Sequence, residues 1–397
     1  MSVPSGFKFS GSKCGIKDSG ALDLAIIATD KPSIVAGVYT QNVVRAASID
    51  WNRSITPSEK FRAVVINSGN ANACTGEQGE SDNTQMANDV AQHLNCQPEQ
   101  VCVLSTGIIG HLLPMEKITT GISAAFKQFG NSQEKFELAS QAIMTTDKGP
   151  KTINTVVDLA GDSNRRFTLA GMAKGAGMIG PNMATMLAVI TTDAKLNQED
   201  AQAVLQFAAN QSFNRISVEG HTSTNDALLL ICSGDSGVEI SDPTDVERFK
   251  NALTNSCIEL AKKIPADGEG ATHLIEIRLT GAGNDTDADR VARTIASSAL
   301  VKTAITGADP NWGRIVSAAG YSGAPMSVDK IGLKLNGHSV FQAGQPIAFD
   351  AKEVSKAMAS QFETVIELKV GTGPGKATHW TSDLTVDYVR FNSEYTT

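Results

Sequence analysis

Residues 173–187 read AKGAGMIGPNMATML, and they lead directly into the apolar run Met186–Thr191. The glycines of this segment formally match GxGxxG, the phosphate-binding pattern of dinucleotide-binding proteins. That pattern requires a helix that starts at the glycines and points its N-terminus at a pyrophosphate. Pro181 and a β-type run follow here instead. The sequence therefore argues against a dinucleotide site.

Two interpretations of this segment remain open. In the first, it is a strand–turn–strand connection whose glycines serve the geometry of the turn. In the second, Thr185 is a nucleophile that becomes amino-terminal when the chain is cleaved after Ala184. An α-amine, with an ordinary pKa of about 8, is then the base that a threonine hydroxyl needs. The glycines and Pro181 favour the bent backbone in which Thr185 can attack the preceding carbonyl.

The rest of the chain alternates β-type and helical patterns, which predicts a mixed α/β fold. The β-type runs are Leu24–Ala28, Ile34–Tyr39, Ala63–Asn67, Val101–Leu104, Phe167–Ala170, Met186–Thr191, Ala227–Ile231, Leu274–Leu279, Ile331–Leu335, Thr364–Leu368 and Thr385–Phe391. Helical spacing of apolar residues occurs at Asp82–Leu94, Gln133–Ile143, Asn197–Phe207 and Pro243–Ile264. Asp242 is the expected cap of the last of these helices.

Composition and charge narrow the class of protein. The 397 residues are 41% hydrophobic and 19% charged, which is typical of a globular chain. The net charge of −8 argues against nucleic acid and anionic membranes as partners. No apolar run approaches the roughly 20 residues of a membrane span, and the N-terminus lacks a targeting pattern. We therefore expect a cytoplasmic protein that acts on small molecules.

The cysteines point to a reducing compartment and give no sign of a metal site. The six residues are scattered, without a CxxC pair or a Cys/His cluster at ligand spacing. In a chain of this length such cysteines are typical of reduced, mostly buried thiols.

Further unusual motifs lie along the chain. They are NSGNANA at 67–73 followed by TG at 75–76, STG at 105–107, AIMTTD at 142–147, DGEG at 267–270, DPNWGR at 309–314 and NSEYTT at 392–397. Together with the glycine-rich segment, and over essentially the whole chain, they resemble the ornithine acetyltransferase family. These proteins are the glutamate N-acetyltransferases of bacterial and fungal arginine synthesis.

The resemblance implies self-cleavage and a two-step acetyl transfer. Cleavage between Ala184 and Thr185 would give an α chain, residues 1–184, and a β chain, residues 185–397. Both would share one mixed, two-layer α/β architecture. The α chain would hold the oxyanion hole and part of the substrate site, and the β chain the nucleophile and the rest of that site. Acetyl would pass from N-acetylornithine to Thr185 and then to glutamate, in a ping-pong scheme with an ester intermediate.

The resemblance also assigns residues to the site. Thr106 and Gly107 match the oxyanion hole, where a hydroxyl and a backbone N–H are suitable donors. The matching substrate contacts are Thr146, Lys174, Thr185, Glu269, Asn392 and Thr397, with Thr146 preferred over Thr145. Lys174 can meet a substrate carboxylate, and Glu269 can accept an ammonium group.

Partners and cofactors follow from the same resemblance. Because Thr185 would carry the acetyl group, neither a metal nor an organic cofactor is expected. Family members differ in whether they also use acetyl-CoA as an acetyl donor, and no residue here separates the two kinds. The expected assembly is a heterotetramer of two α and two β chains.

Several alternatives stay open. Taken singly, Lys174, Glu269 and the C-terminal tail would be interpreted as structural or solvent-exposed residues. His111 and His221 are interpreted as structural or surface residues, and Asp309–Arg314 as a structural corner built on a buried Asp–Arg pair or on the tryptophan. Alternative functions are an N-terminal nucleophile hydrolase or aminopeptidase, a paralogue with another acyl acceptor, and an uncleaved binding protein.

Overall fold

The computed structural model describes residues 3–159, 162–180 and 186–394, and of residues 162–164 the backbone alone. The strands are β1 (Phe7–Ser12), β2 (Leu24–Tyr39), β3 (Ser58–Asn70), β4 (Val101–Ile108), β5 (Lys151–Leu159), β6 (Asp162–Lys174), β7 (Leu187–Thr192), β8 (Ile216–Ser217), β9 (Ala227–Cys232), β10 (Leu274–Ala282), β11 (Gly332–Leu335), β12 (His338–Gln342), β13 (Gln345–Pro346), β14 (Glu363–Lys369) and β15 (Gly375–Ser382). The α-helices are α1 (Ala47–Ile55), α2 (Gly76–Leu94), α3 (Met115–Phe126), α4 (Gln133–Ala142), α5 (Gln198–Gln211), α6 (Pro243–Ala266), α7 (Asp285–Ala296), α8 (Ala299–Thr306), α9 (Trp312–Gly320), α10 (Ala351–Ala359) and α11 (Val386–Glu394). The chain is therefore a mixed α/β protein, as the sequence predicts.

The first sheet joins the two halves of the chain. Its strand order is β4-β3-β2-β9-β7-β6-β5, with β1 paired to β2. Strand β7 is antiparallel to β6 and parallel to β9, and β9 is antiparallel to β2. The two strands that follow position 185, β9 and β7, thus lie between strands that precede it, β2 on one side and β6 on the other. Every residue of β7 is buried, as expected for a strand covered on both faces.

Helices cover both faces of this sheet, and the residues of β7 show how. Ala188 and Ile190 belong to an apolar layer that includes helices α5 and α6. Leu187 and Val189 belong to the opposite layer, which includes residues of α1 and α4. Successive side chains of a strand point to opposite faces, so a continuous apolar run is what a strand between two helix layers requires.

The second sheet belongs to the C-terminal half. Its order is β13-β12-β11-β14-β10-β15-β8, and apolar residues of α7, α8, α9 and α10 pack against it. Helix α6 runs into β10 through the turn that carries Glu269, and β15 runs into α11. Strand β8 directly precedes Val218 and Glu219. This sheet therefore sets the positions of three short segments that meet in the cavity described below. No helix among the described residues is long and apolar enough to cross a membrane.

Most of the predicted elements are confirmed. The four predicted helices correspond to α2, α4, α5 and α6, and the side chain of Asp242 accepts a hydrogen bond from the Thr244 N–H at 2.8 Å. Two predicted strands, Leu24–Ala28 and Ile34–Tyr39, are parts of the single long strand β2. The exposed residues between them sit where the pairing of β2 with β3 shifts register, which allows the strand to continue.

One predicted strand is wrong. Residues Thr385–Phe391 form the start of helix α11 and not a strand. The Thr385 hydroxyl accepts a hydrogen bond from the Tyr388 N–H at 3.2 Å, which caps the helix N-terminus. The apolar and polar residues of this short segment fit both the two-residue period of a strand and the 3.6-residue period of a helix. The cap at Thr385 favours the helix.

The DPNWGR motif is structural, although not through an Asp–Arg pair. Asp309 is exposed and accepts from the Asn311 side chain at 3.0 Å, while Arg314 donates to the Leu300 carbonyl at 2.9 Å. Trp312 begins α9 and packs on Phe341 with ring centroids 5.0 Å apart. The tryptophan, and not a buried ion pair, therefore anchors this corner. The six cysteines are free, with Cys102, Cys232 and Cys257 buried and Cys74 exposed.

Candidate active site

A cavity of about 260 Å³ gathers most of the predicted site residues. It lies where β4 and β6 of the first sheet end beside the turn after α6 and the helix α11. The predicted residues that line it are Thr106, Gly107, Thr145, Thr146, Lys174, Glu269 and Asn392. Of the other predictions, Ala184, Thr185 and Thr397 lie outside the described residues. The cavity is built from segments far apart in the chain, as expected of a site and not of a local turn.

Thr106 and Gly107 lie at the end of β4, paired with the end of β3. Gly107 has φ of +135°, and a Cβ there would collide with the backbone of Gly69 in β3. Only glycine fits this position. The buried Thr106 hydroxyl accepts a hydrogen bond from the Lys174 Nζ at 3.2 Å. Lys174 donates to a lone pair of the Thr106 oxygen. The hydroxyl proton of Thr106 therefore remains available for a hydrogen bond to an oxygen in the cavity.

Lys174 is the last residue of β6 and its side chain is buried. Burial lowers the pKa of its ammonium, while the carboxylates of Asp147, Asp226 and Glu269 oppose that shift. A buried cation beside Thr106 suits a substrate carboxylate or the negative charge that develops on an oxyanion.

A buried ion-pair network lies next to Lys174. Lys151 Nζ lies 2.6 Å from Asp147 Oδ1 and 2.6 Å from Asp267 Oδ2. Asp147 Oδ1 also accepts the Gly175 N–H at 2.7 Å. Burial alone would raise the pKa of Asp147, but Lys174, Lys151 and the Gly175 N–H together lower it to about 2. The network fixes the point where the chain leaves β6 and enters the glycine-rich segment.

Replacing Asp147 with asparagine is expected to lower the free energy of unfolding by about 3 kcal/mol at neutral pH, because a buried ammonium loses a partner. The folded-state pKa of Asp147 is about 2 and its ordinary value is 3.8. The carboxylate therefore stabilises the fold above pH 3.8, and this contribution is lost as the pH falls towards 2. Urea unfolding of both proteins at several pH values measures the difference. Asp30→Asn, which breaks an exposed ion pair with Lys8, is the control and should cost less than about 1 kcal/mol. Equal losses in the two variants would contradict the expectation.

Glu269 forms the opposite wall, on the DGEG turn. Its Oε1 accepts from the Thr146 hydroxyl at 2.7 Å and its Oε2 from the Asn392 Nδ2 at 3.1 Å. Thr146 thus contacts Glu269, while Thr145 donates its backbone N–H to Asp147 at 3.0 Å. Both threonines line the cavity, and Thr146 is the one whose hydroxyl contacts Glu269.

The C-terminal helix is held against the same turn. Thr385 donates its hydroxyl to the Gly270 carbonyl at 2.7 Å. Gly270 has φ of +68°, and a side chain there would collide with the backbone of Tyr388. The close approach places Tyr388 and Asn392, one helical turn apart, along the cavity.

The glycine-rich segment contributes its backbone to the cavity. No helix begins within 175–180, so the strand–turn–helix geometry of a dinucleotide site is absent from this described part. A Cβ at Gly177 would fall on the carboxylate of Glu269. The glycine therefore makes room for a site residue.

Replacing Gly177 with alanine is expected to raise the KM of a substrate that Glu269 binds by about tenfold, because the displaced carboxylate loses a charge-assisted contact. Steady-state kinetics on the purified protein measure this change. Gly320→Ala is the matched control, since a Cβ at Gly320 meets no atom within 4 Å. An unchanged KM in the Gly177 variant would contradict this expectation.

Buried polar groups connect the cavity to the start of β7. Asp226 is fully buried and accepts the Met186 N–H at 2.9 Å. Its neighbour Asn225 donates to the carbonyls of Ala71 and Ser105, at 2.6 and 2.8 Å. Burial raises the pKa of Asp226, and the Met186 N–H and Lys174 oppose that shift. These contacts tie the residue after Thr185 to the strand that carries Thr106.

The sequence did not reveal three residues that line the cavity, namely Glu219, Tyr388 and Met178. His221, interpreted as structural or surface, is exposed and also lines it. Tyr388 lies in the segment whose secondary structure was predicted wrongly. Glu219 follows a two-residue strand and belongs to no motif. The capping threonine at 385 is the one local signal that could have placed Tyr388 on a helix facing the DGEG turn.

Comparison with known proteins shows which family this chain belongs to. Residues 8–397 match the ArgJ family. The chain belongs to the ArgJ family. It is 48% identical to the arginine biosynthesis bifunctional protein ArgJ of Rhodopirellula baltica, covering 100% of this chain and 96% of that one. It is 45% identical to ArgJ of Dehalococcoides mccartyi, covering 100% and 97%.

A solved structure of the ArgJ family agrees with this assignment. The ArgJ chain from Bacillus halodurans is 40% identical, with a TM-score of 0.50, and the match covers 52% of this chain and 97% of that chain. The protein is thus an ArgJ enzyme of arginine biosynthesis, an acyltransferase. Among the described residues, no group of three or more His, Cys, Asp or Glu side chains is arranged to hold a metal ion.

Proposed function

We propose that this ArgJ enzyme transfers acetyl from N-acetylornithine to glutamate through an acetyl ester on Thr185. The observation that carries the proposal is the pairing of Lys174 with Leu187 at the ends of β6 and β7. The chain therefore leaves β6 at Lys174, which lines the cavity, and rejoins the sheet beside it at Leu187. Thr106, Gly107 and Glu269 line the same cavity.

Maturation is the first step of the proposed mechanism. The Thr185 hydroxyl attacks the Ala184 carbonyl and the peptide rearranges to an ester, which frees the Thr185 amine. Water then cleaves the ester, which releases the Ala184 carboxylate and restores the Thr185 hydroxyl. The products are residues 1–184 and residues 185–397. Their association is supported by the first sheet, because β7 and β9 of the second fragment pair with β6 and β2 of the first.

Acetyl transfer follows on the free terminus. The Thr185 amine takes the hydroxyl proton as the oxygen attacks the acetyl carbonyl of N-acetylornithine. Thr106 and the Gly107 N–H donate to the oxygen of the tetrahedral intermediate. The proton passes to the leaving amine of ornithine. The amine of glutamate then attacks the ester, the bond to the Thr185 oxygen breaks to release N-acetylglutamate, and a proton from the attacking amine restores the Thr185 hydroxyl. Thr185 carries the acetyl group, so the proposed reaction uses no metal and no organic cofactor.

The charges of the cavity support these substrates. Lys174 binds the α-carboxylate that both substrates carry, and Glu269 with Thr146 and Asn392 faces the side-chain end, where N-acetylornithine has an ammonium group. Thr397 is proposed as a further substrate contact on the basis of the family resemblance.

The assembly and a second activity are parts of the same proposal. The matched Bacillus halodurans chain corresponds to 52% of this chain, about the share that residues 185–397 represent, which supports cleavage into two chains. We infer a heterotetramer of two α and two β chains, testable by mass measurement in solution. The relatives are named bifunctional, so acetyl-CoA is tested as a second donor to glutamate, without N-acetylornithine.

The direct assay mixes the purified protein with N-acetylornithine and glutamate. The expected products are ornithine and N-acetylglutamate in equal amounts. Acetate released faster than N-acetylglutamate would overturn the transferase proposal in favour of a hydrolase. A second acceptor that outcompetes glutamate would identify a paralogue with another substrate.

A further inference from the structure

Glu219 is a cavity residue that the proposed mechanism does not use. It follows β8 and lines the cavity together with Glu269. Both of its carboxylate oxygens are hidden from water, and no side chain among the described residues donates a hydrogen bond to either of them. Glu269, in contrast, accepts two hydrogen bonds from side chains. A buried carboxylate without a cation or a side-chain donor is costly, so Glu219 has the capacity to bind a group that enters the cavity.

The groups around Glu219 come from four segments. Lys302 approaches from α8, Tyr388 from α11, Glu269 from the DGEG turn, and His221 from two residues further along the chain. The Lys302 ammonium donates to the Val218 carbonyl and does not hydrogen-bond Glu219. Lys302 also interacts with the Asp383 carboxylate. No cation is therefore committed to Glu219 among these neighbours.

The protonation of Glu219 is balanced near neutrality. Burial raises the pKa of its carboxyl group to about 7, and Glu269 acts in the same direction. The backbone N–H groups of Ile179 and His221, and the charge of Lys302, act in the opposite direction. A carboxyl group in this position changes charge with little free-energy cost when its ligand changes.

In the proposed function, the cavity binds two substrates whose side chains carry opposite charges. The side chain of N-acetylornithine ends in an ammonium group, and that of glutamate ends in a carboxylate. In a ping-pong reaction both occupy the same site in turn. A fixed pair of carboxylates suits the first substrate and repels the second.

We propose that Glu219 adapts the cavity to both substrates, facing N-acetylornithine as a carboxylate and glutamate as a neutral acid. Ionised, it accepts the side-chain ammonium; protonated, it donates a hydrogen bond to the γ-carboxylate. One proton is taken up from water when glutamate replaces ornithine, and it is released when the next N-acetylornithine binds. This inference rests on the proposed function and adds a specificity residue to it.

The test compares E219Q with the wild-type enzyme between about pH 6 and about pH 8. The ratio of the two KM values at each pH cancels the titration of the substrates' own amines. Because binding scales with the fraction of enzyme in the competent form, the ratio KM(E219Q)/KM(wild type) for N-acetylornithine should rise about tenfold over this range. For glutamate it should fall about tenfold, since glutamine always offers a donor. E239Q, at an exposed glutamate, is the control with flat ratios.

The outcomes separate this inference from the proposed function. Ratios that move in opposite directions support Glu219 as the adapting residue. Flat ratios, or ratios that move together, overturn it while the wild type still transfers acetyl from N-acetylornithine to glutamate. Absence of that transfer in the wild type overturns the proposed function and this inference with it.

A second measurement needs no variant. Ornithine and norvaline differ in the side-chain ammonium and share the α-carboxylate and α-amine. On the wild-type enzyme, the ratio of the inhibition constant of ornithine to that of norvaline should fall about tenfold from about pH 6 to about pH 8. A ratio that stays constant would overturn the inference even if E219Q fails to fold.

Discussion

Replacing Thr185 with alanine is expected to abolish both self-cleavage and acetyl transfer. The alanine variant lacks the hydroxyl that attacks the Ala184 carbonyl, and it can form no acetyl ester. Loss of a catalytic nucleophile lowers kcat by about 10⁴-fold or more. Gel analysis under denaturing conditions should show one intact chain, and the transfer assay should give only background.

Thr185→Ser is the informative companion variant. Serine keeps the hydroxyl and, once terminal, the amine, but it lacks the methyl group that restricts the rotamers of threonine. It should therefore retain part of both activities. Thr286→Ala, at an exposed position on α7, is the matched control and should mature and react normally. An alanine variant that transfers acetyl at the wild-type rate would exclude Thr185 as the nucleophile.

Thr106→Val carries the next largest expected effect. Valine preserves the shape of the side chain and removes the hydroxyl, whose partner is the Lys174 ammonium at 3.2 Å. Loss of one oxyanion-hole donor should lower kcat by about 10²–10³-fold. Steady-state kinetics with saturating N-acetylornithine and glutamate measure the effect.

The conservative variant Thr106→Ser separates this role from packing. Serine keeps the hydroxyl at the end of β4, so it should recover most of the lost rate. Equal losses in the valine and serine variants would indicate that the methyl group, and not the hydroxyl, matters. A valine variant with an unchanged kcat would remove Thr106 from the oxyanion hole.

Local patterns predicted much of the fold because they are strong in the first sheet. The wholly apolar run Met186–Thr191 is what a strand between two helix layers requires, and β7 occupies that place. The helix at Pro243–Ile264 has a capping aspartate and a proline in its first turn. The strand predicted at 385–391 is wrong because the segment is short and its apolar residues fit the period of a strand as well as that of a helix.

The candidate site was predicted in part, and that prediction came from the family resemblance and not from local patterns. Residue type alone left Lys174 and Glu269 open to structural interpretations; the motifs and their resemblance to a family put them in one site. The structure brings both to one cavity. Glu219 could not have been found, because it belongs to no motif and the groups that act on its charge, Lys302 of α8 and Tyr388 of α11, are distant in the sequence.

The glycine-rich segment shows what the sequence predicts and what only the structure adds. Its two open interpretations, a connection between strands and a site of cleavage, are compatible, because β6 and β7 flank the connection and Lys174 pairs with Leu187. The two strands fix the chain on either side of the connection, and the proposed chemistry takes place between them. Sequence patterns could not reveal this, since the pairing depends on both strands being in the sheet.

The most direct test is the intact mass of the purified protein under denaturing conditions, before and after incubation with N-acetylornithine alone. The proposed mechanism predicts two fragments, residues 1–184 and 185–397, and one acetyl group added to the second fragment only. Subsequent addition of glutamate should remove that acetyl group. A single uncleaved chain that transfers acetyl at full rate, or an acetyl group on the first fragment, would contradict it.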